Sequence, residues 1–244
     1  MRNPKWHRDE IILALDLYFS DDRGSIDDKN KRIISLSKVL NNLPLFSHRP
    51  DETRFRNPNG VTLKLSNFLV FDPNYKGKGM SGGSKLDKEV FEEFYQDRQK
   101  LRRIATEITK IAGDPLLRST LSAVEEDEQT QLDNVIEGQV LYKLHKVRER
   151  DSKIIASKKD QAFKLLGKLA CEACIFQFEN YYGDIGKGFI ECHHKTPLAN
   201  FKVATTTSLD DLALVCSNCH RMLHRKIDTI TVEDLRLMIR YDRI

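Results

Sequence analysis

The chain is 244 residues long, beyond one typical domain of roughly 100 to 200 residues, so two domains are expected. With 40% hydrophobic and 31% charged residues, the composition is that of a soluble globular protein rather than a disordered one. No apolar run approaches the roughly 18 to 20 residues of a membrane span, and the opening MRNPKWHRDE lacks the apolar core of a signal peptide, so a cytoplasmic protein with no membrane partner is expected.

In chain order, apolar side chains recur at helical spacing over 9–19 and again over 29–43, before Pro44, and predict two helices. The stretch Phe55 to Phe71 opens on an Asn57-Pro58-Asn59-Gly60 turn and continues with mixed periodicity, which leaves its type open. Between Asp72 and Ser84, four glycines with Lys76 and Lys78 read as a basic loop, either a solvated connector or a loop that closes on DNA. Residues 86–112 read as one long charged helix that breaks at Gly113-Asp114-Pro115, and the acidic patch Glu125 to Glu128 then marks a domain boundary. A basic helical stretch follows from about 135 to 168. From Lys143 to Lys168, nine Lys or Arg face only Glu149, Asp151 and Asp160. Such a stretch serves either as an ordinary solvated face or as a grip on a phosphate backbone.

The five cysteines are read as metal ligands before disulfides, since the cytosol keeps thiols reduced. Cys171-x2-Cys174 and Cys216-x2-Cys219 are two knuckles 41 residues apart, each offering two thiolates toward a closed, tetrahedral, structural Zn²⁺ site. Cys192 falls outside both knuckles and reads as a buried strand residue. Four of the seven histidines lie within 32 residues, as His193-His194 and His220-x3-His224. On a helix, His220 and His224 share one face, as two ligands or two phosphate contacts require.

The stretch from about Cys171 to Arg225 resembles the HNH, or ββα-metal, endonucleases. The resemblance rests on Glu191-Cys192-His193-His194 with Pro197-Leu198 after it, the histidine closing the second knuckle at His220, and His224 one turn on. The double histidine with both knuckles is similar to modification-dependent, type IV-like restriction endonucleases, and the histidine arrangement also to bacterial nuclease colicins. The resemblance implies His194 as the general base, His193 and His220 as holders of a catalytic divalent metal (Mg²⁺, Mn²⁺, Co²⁺, Ni²⁺ or Zn²⁺), and His224 on the metal or the phosphate. It implies cleavage leaving a 5′ phosphate and a 3′ hydroxyl. The middle Asn of the family pattern falls on Asp211, which can accept hydrogen bonds but not donate them.

The expected fold class is α+β: a mainly helical DNA-recognition domain over 1–125, a basic helical connector over 126–168, and a zinc-stabilised ββα-metal domain over 169–244. Trp6, Arg56, Asn57 and Asn59, with Phe55 nearby, are the candidate base contacts, with a core anchor and a structural turn as the competing reading. Lys195, Arg221 and Arg225 flank the histidines as candidate DNA contacts. The expected function is metal-dependent cleavage of double-stranded DNA in defence, selective for a sequence or a modification such as methylcytosine, with a homodimer bringing one cutter to each strand. The alternatives are a homing-type HNH nuclease and a zinc-dependent DNA-binding protein with a decayed nuclease site.

Overall fold

A computed structural model describes residues 2–77, 82–123, 138–196, 203, 207–227 and 229–240. The chain divides into two compact units, residues 1–141 and 142–244. The cut therefore falls inside the stretch read as a connector, and most of that stretch belongs to the second unit. The acidic patch at 125–128 lies outside the described residues.

The first unit is helical throughout its described elements: α1 (Arg8–Phe19), α2 (Lys31–Asn41), α3 (Pro58–Phe68), α4 (Lys85–Tyr95), α5 (Arg98–Gly113), α6 (Pro115–Ser122) and the start of α7 (Gln139–Glu149). Helix α1 is central, because Ile11 through Leu15 are all buried and it packs against α2, α3, α4 and α5. A helix apolar on every side must be surrounded in this way. The stretch left open in the sequence is helix α3, started by Asn57, whose side chain accepts from Gly60 N at 2.9 Å, with Pro58 in the first turn. The single helix read over 86–112 is two. It divides at Gln96-Asp97, where Asp97 accepts from Lys100 N at 2.9 Å and starts α5. Helical periodicity runs through that break unchanged, so only the cap marks it.

Buried charges are paired inside this unit. Arg56 donates from Nε and Nη2 to the two oxygens of Glu10 at 2.6 and 2.7 Å, and to the carbonyls of Pro4 and Lys5. Its guanidinium also stacks 4.7 Å from the Trp6 ring and 4.5 Å from Phe55. Lys64 bonds Asp87 at 2.6 Å, and burial lowers its pKa below the ordinary lysine value. These contacts favour the competing structural reading of Arg56 and Asn57: the guanidinium is buried and paired, and the amide oxygen caps a helix. Phe55 is core, Trp6 is half-buried beside Arg56 and Lys64, and Asn59 is exposed in the first turn of α3.

The second unit holds the remainder of α7, then α8 (Ser152–Leu166), α9 (Phe178–Tyr182), β1 (Glu191–His194), β2 (Leu212–Val215), α10 (Ser217–His224) and α11 (Val232–Met238). Asp151 caps α8, and Gly167 closes it in the left-handed conformation at φ 65°. The strands pair antiparallel, with Cys192 opposite Leu214 and His193 opposite Ala213. Ile190, Cys192, Leu212 and Leu214 pack with Ile154, Ile155 and Ala162 of α8, while Ala213 and Val215 pack with Leu223 of α10 and Leu235 of α11. Both faces of this two-stranded sheet are thus covered, and the described residues are mostly helical with one small sheet. Among the described residues no helix is long and apolar enough to cross a membrane.

Candidate metal centres and nuclease site

The four knuckle cysteines come together in the second unit, with all four Sγ atoms within 4.8 Å of one another and Cys174 Sγ 3.6 Å from Cys216 Sγ. A tetrahedral zinc with Zn–S bonds of about 2.3 Å requires sulfurs about 3.8 Å apart, so the group fits a single ion. The fold presets each knuckle. Cys174 N donates to Cys171 Sγ at 3.4 Å and Cys219 N to Cys216 Sγ at 3.5 Å, which orients the sulfurs. The first knuckle is closed by Cys171 N to Phe176 O and by Ile175 N to Cys171 O, both at 2.9 Å. Ile175 pays for that turn with φ 68°, a strained conformation for a β-branched side chain. Cys216 is also the cap of α10, so the second knuckle and the start of the histidine-bearing helix are one structure.

Strand alternation separates the paired histidines. His193 faces the α10 side with Ala213, and His194 faces the opposite side with Leu212. Helical spacing brings His220 and His224 to one side of α10, with their Nε2 atoms 2.9 Å apart. The rings of His193 and His220 lie 5.2 Å apart, and those of His193 and His224 5.3 Å. His193, His220 and His224 therefore gather around one point, whereas His194 stands beside it, its Nε2 3.0 Å from Thr207 Oγ1.

Helix α7 adds two residues to this point. Glu149 Oε1 lies 2.7 Å from His193 Nδ1 and 3.0 Å from His145 Nε2, while Oε2 lies 3.0 Å from His224 Nε2 and 3.4 Å from His220 Nε2. Glu149 Oε1 also accepts the backbone N–H of His194 at 3.1 Å, tying α7 to the end of β1. Donor atoms of His145, Glu149, His193 and His224 all fall within 4.8 Å of one another, a spacing that fits one cation. That set takes His145 where the sequence pointed to His220, but His220 Nε2 is close enough to Glu149 and His224 to share the same centre.

Sequence reasoning gave no site role to His145, Glu149, Glu191 or Thr207. The signal for the first two was a His-x3-Glu pair on one helix face, hidden within a stretch read for its positive charge. Glu191 sits two residues before His193 on the same strand face and bonds His220 Nδ1 at 2.6 Å, orienting that ring by its other nitrogen.

The electrostatics follow from burial. Burial pushes His194 down to about 4 and lowers His193 and His224, so these rings are neutral and able to accept a proton or bind a metal. For His220 burial acts in the same sense, but Glu149 and Glu191 outweigh it and raise its pKa. Burial opposes the ionisation of Glu149, yet His145, His193 and His220 together hold its carboxyl well below the usual range.

Asp211 does not reach an imidazole through its side chain among these contacts. Its Oδ2 accepts from Ser208 N at 2.8 Å and Ser208 Oγ at 2.7 Å, and its carbonyl accepts Lys195 N at 2.8 Å. Its side chain only accepts, and the two Ser208 donors lower its pKa. Lys195 is half-buried with its Nζ 3.9 Å from Glu172, and Arg221 and Arg225 are exposed on and just after α10.

Residues 171–226 match the family model described as HNH endonuclease. The match covers the two knuckles, both strands and α10, and supports an HNH domain with a nuclease-type function. It stops short of α7, so Glu149 and His145 lie outside the matched segment. Neither the curated proteins nor the solved structures give a significant match.

Proposed function

We propose that the second unit is a metal-dependent DNA endonuclease of the HNH type. The observation that carries the reading is the convergence of His193, His220 and His224 on one point of a zinc-braced ββα unit, with neutral His194 alongside. His194 is the general base that takes a proton from the attacking water. Thr207 Oγ1 fixes its ring at Nε2 and Glu149 fixes its backbone, so the imidazole is held rather than free to rotate. His193 and His220 would hold the catalytic divalent ion, with His224 on the ion or the phosphate. When bound, that ion supplies a Lewis acid for a phosphate oxygen and for the leaving 3′ oxygen. Glu191 orients His220, and Asp211 accepts from Ser208.

The substrate is double-stranded DNA. Lys195, Arg221 and Arg225 supply positive charge next to the histidines for the phosphate backbone. One site per chain cuts one strand at a time, so a double-strand break calls for a homodimer or two visits. A restriction role, selective for a DNA sequence or for methylcytosine, is the biology this chemistry would serve, with the helical first unit as the recognition element. The test is cleavage of matched plasmids, unmodified and cytosine-methylated, by the full chain with Mg²⁺, Mn²⁺, Co²⁺ or Ni²⁺. Cutting of the methylated plasmid alone supports modification dependence, equal cutting removes that selectivity and keeps the nuclease, and no cutting of either removes the nuclease.

A further inference from the structure

An HNH site read from the knuckles, the paired histidines and α10 alone would give its metal a purely imidazole environment. In this chain a carboxylate occupies the middle of it. Glu149 is buried, and its two oxygens divide the four imidazoles: Oε1 is 2.7 Å from His193 Nδ1 and 3.0 Å from His145 Nε2, and Oε2 is 3.0 Å from His224 Nε2 and 3.4 Å from His220 Nε2. Taking a carboxylate out of water is costly unless it is paired or coordinates a metal.

The contacts have the character of ligands around an ion. His193 Nδ1 is buried and, despite its 2.7 Å approach to Glu149 Oε1, makes no hydrogen bond of acceptable alignment. Two imidazole nitrogens on α10 stand 2.9 Å apart and face the same carboxylate oxygen. Metal–ligand bonds of about 2.0 to 2.2 Å place neighbouring donors roughly 3 Å apart, which is the spacing these atoms have.

We propose that Glu149 of α7 is a direct ligand of the catalytic metal, so that the centre is mixed imidazole and carboxylate and favours Mn²⁺ or Mg²⁺ more than an all-histidine site would. Carboxylate oxygen suits these harder ions, whereas imidazole alone suits Zn²⁺, Ni²⁺ and Cu²⁺. The proposal rests on the nuclease reading and adds to it the ligand that sets the choice of ion. It also makes α7 a part of the catalytic centre, although that helix precedes the first knuckle by more than a complete further helix, α8.

The alternative role for Glu149 is a brace, since Oε1 accepts the N–H of His194 at 3.1 Å. Glu149→Gln separates the two, because the amide oxygen can still accept that N–H while the ligating charge is lost. The probe is Mn²⁺ alone, titrated into the full chain with its zinc in place and followed by the electron paramagnetic resonance of the free ion, with Ni²⁺ binding measured by calorimetry in parallel. The expected result is a Mn²⁺ affinity weakened at least about tenfold in Glu149→Gln, with Ni²⁺ binding less affected. Unchanged Mn²⁺ affinity in a folded variant overturns the proposal and leaves the nuclease reading intact. If the variant does not fold, wild-type crystals soaked in Mn²⁺ decide by anomalous scattering: an ion bonded to the Glu149 carboxylate supports the proposal, and one held only by histidines overturns it. A wild-type chain that binds neither ion and cuts no DNA removes the proposal and the nuclease reading together.

Discussion

In the first unit, Phe55, Phe68 and Phe94 are fully buried, Tyr18 packs edge-on against Phe68, and the charges that go inside, Arg56 with Glu10 and Lys64 with Asp87, satisfy one another. In the second, the cluster beneath α10 is built from the knuckle cysteines with Ala173, Ala213, Val215, Leu223, Val232 and Leu235, and the most heavily buried polar group is the His145, Glu149, His193 and His194 assembly. The first unit can close on apolar area and internal ion pairs alone. The second packs its sheet on α8 through Ile190, Leu212 and Leu214, but the cluster beneath α10 includes the knuckle cysteines, which could hold a metal, so part of its stability is expected to depend on what it binds. The same difference bears on their uses: buried imidazoles gathered around one carboxylate are a poor way to hold a fold together, and they could hold a metal ion.

The comparison can be broken most severely at the four knuckle cysteines, which could hold a zinc ion. Structural zinc contributes on the order of 10 kcal/mol in small zinc modules, so a strong chelator, or Cys216→Ser, is expected to open the second unit and leave the first folded. Hydrogen exchange read by peptide is the measurement. Protection lost over 171–226 and kept over α1 to α5 agrees with the account, whereas equal loss in both units contradicts it.

The mirror-image change is Arg56→Ala, which leaves Glu10 buried without its partner. A loss of about 3 to 5 kcal/mol is expected, confined to the first unit, with zinc content unchanged by atomic absorption. A variant as stable as the parent would mean that the buried pair does not organise α1 and α3.

The smallest change sharpens the picture of the knuckle. Ile175 is left-handed and half exposed, so Ile175→Gly is expected to stabilise the second unit by about 1 kcal/mol, read as a higher melting temperature for that transition. Destabilisation would mean that the isoleucine side chain contributes more than its strained backbone costs.

The legible parts of this sequence were those with a local signature. Helices α1 and α2 were visible from apolar periodicity, and the zinc knuckles and histidines from spacing along the chain. The type of α3 was hidden because Asn57 and Pro58 read equally as a turn and as a helix start. The break between α4 and α5 was hidden because a capping Asp97 in a charged helix looks like one more surface residue. Glu149 and His145 were illegible for a different reason. They pair with each other across one helical turn, but their other partners are 44 or more positions away, as with Glu149 and His193, and the His-x3-Glu spacing alone does not say that this face turns inward. Arg56 illustrates the converse: an arginine beside aromatic residues suggests a nucleic-acid contact, and only the fold reveals Glu10 behind it.

The most direct test of the central claim is the rate of plasmid nicking by the zinc-loaded full chain, wild-type against His194→Ala, with and without Mn²⁺. Loss of a positioned general base is expected to slow cleavage by about 10² to 10⁴ while zinc content and helical signal stay as in the parent. Mn²⁺-dependent nicking that collapses in His194→Ala is the predicted result; nicking that persists at the wild-type rate in the variant would contradict the account.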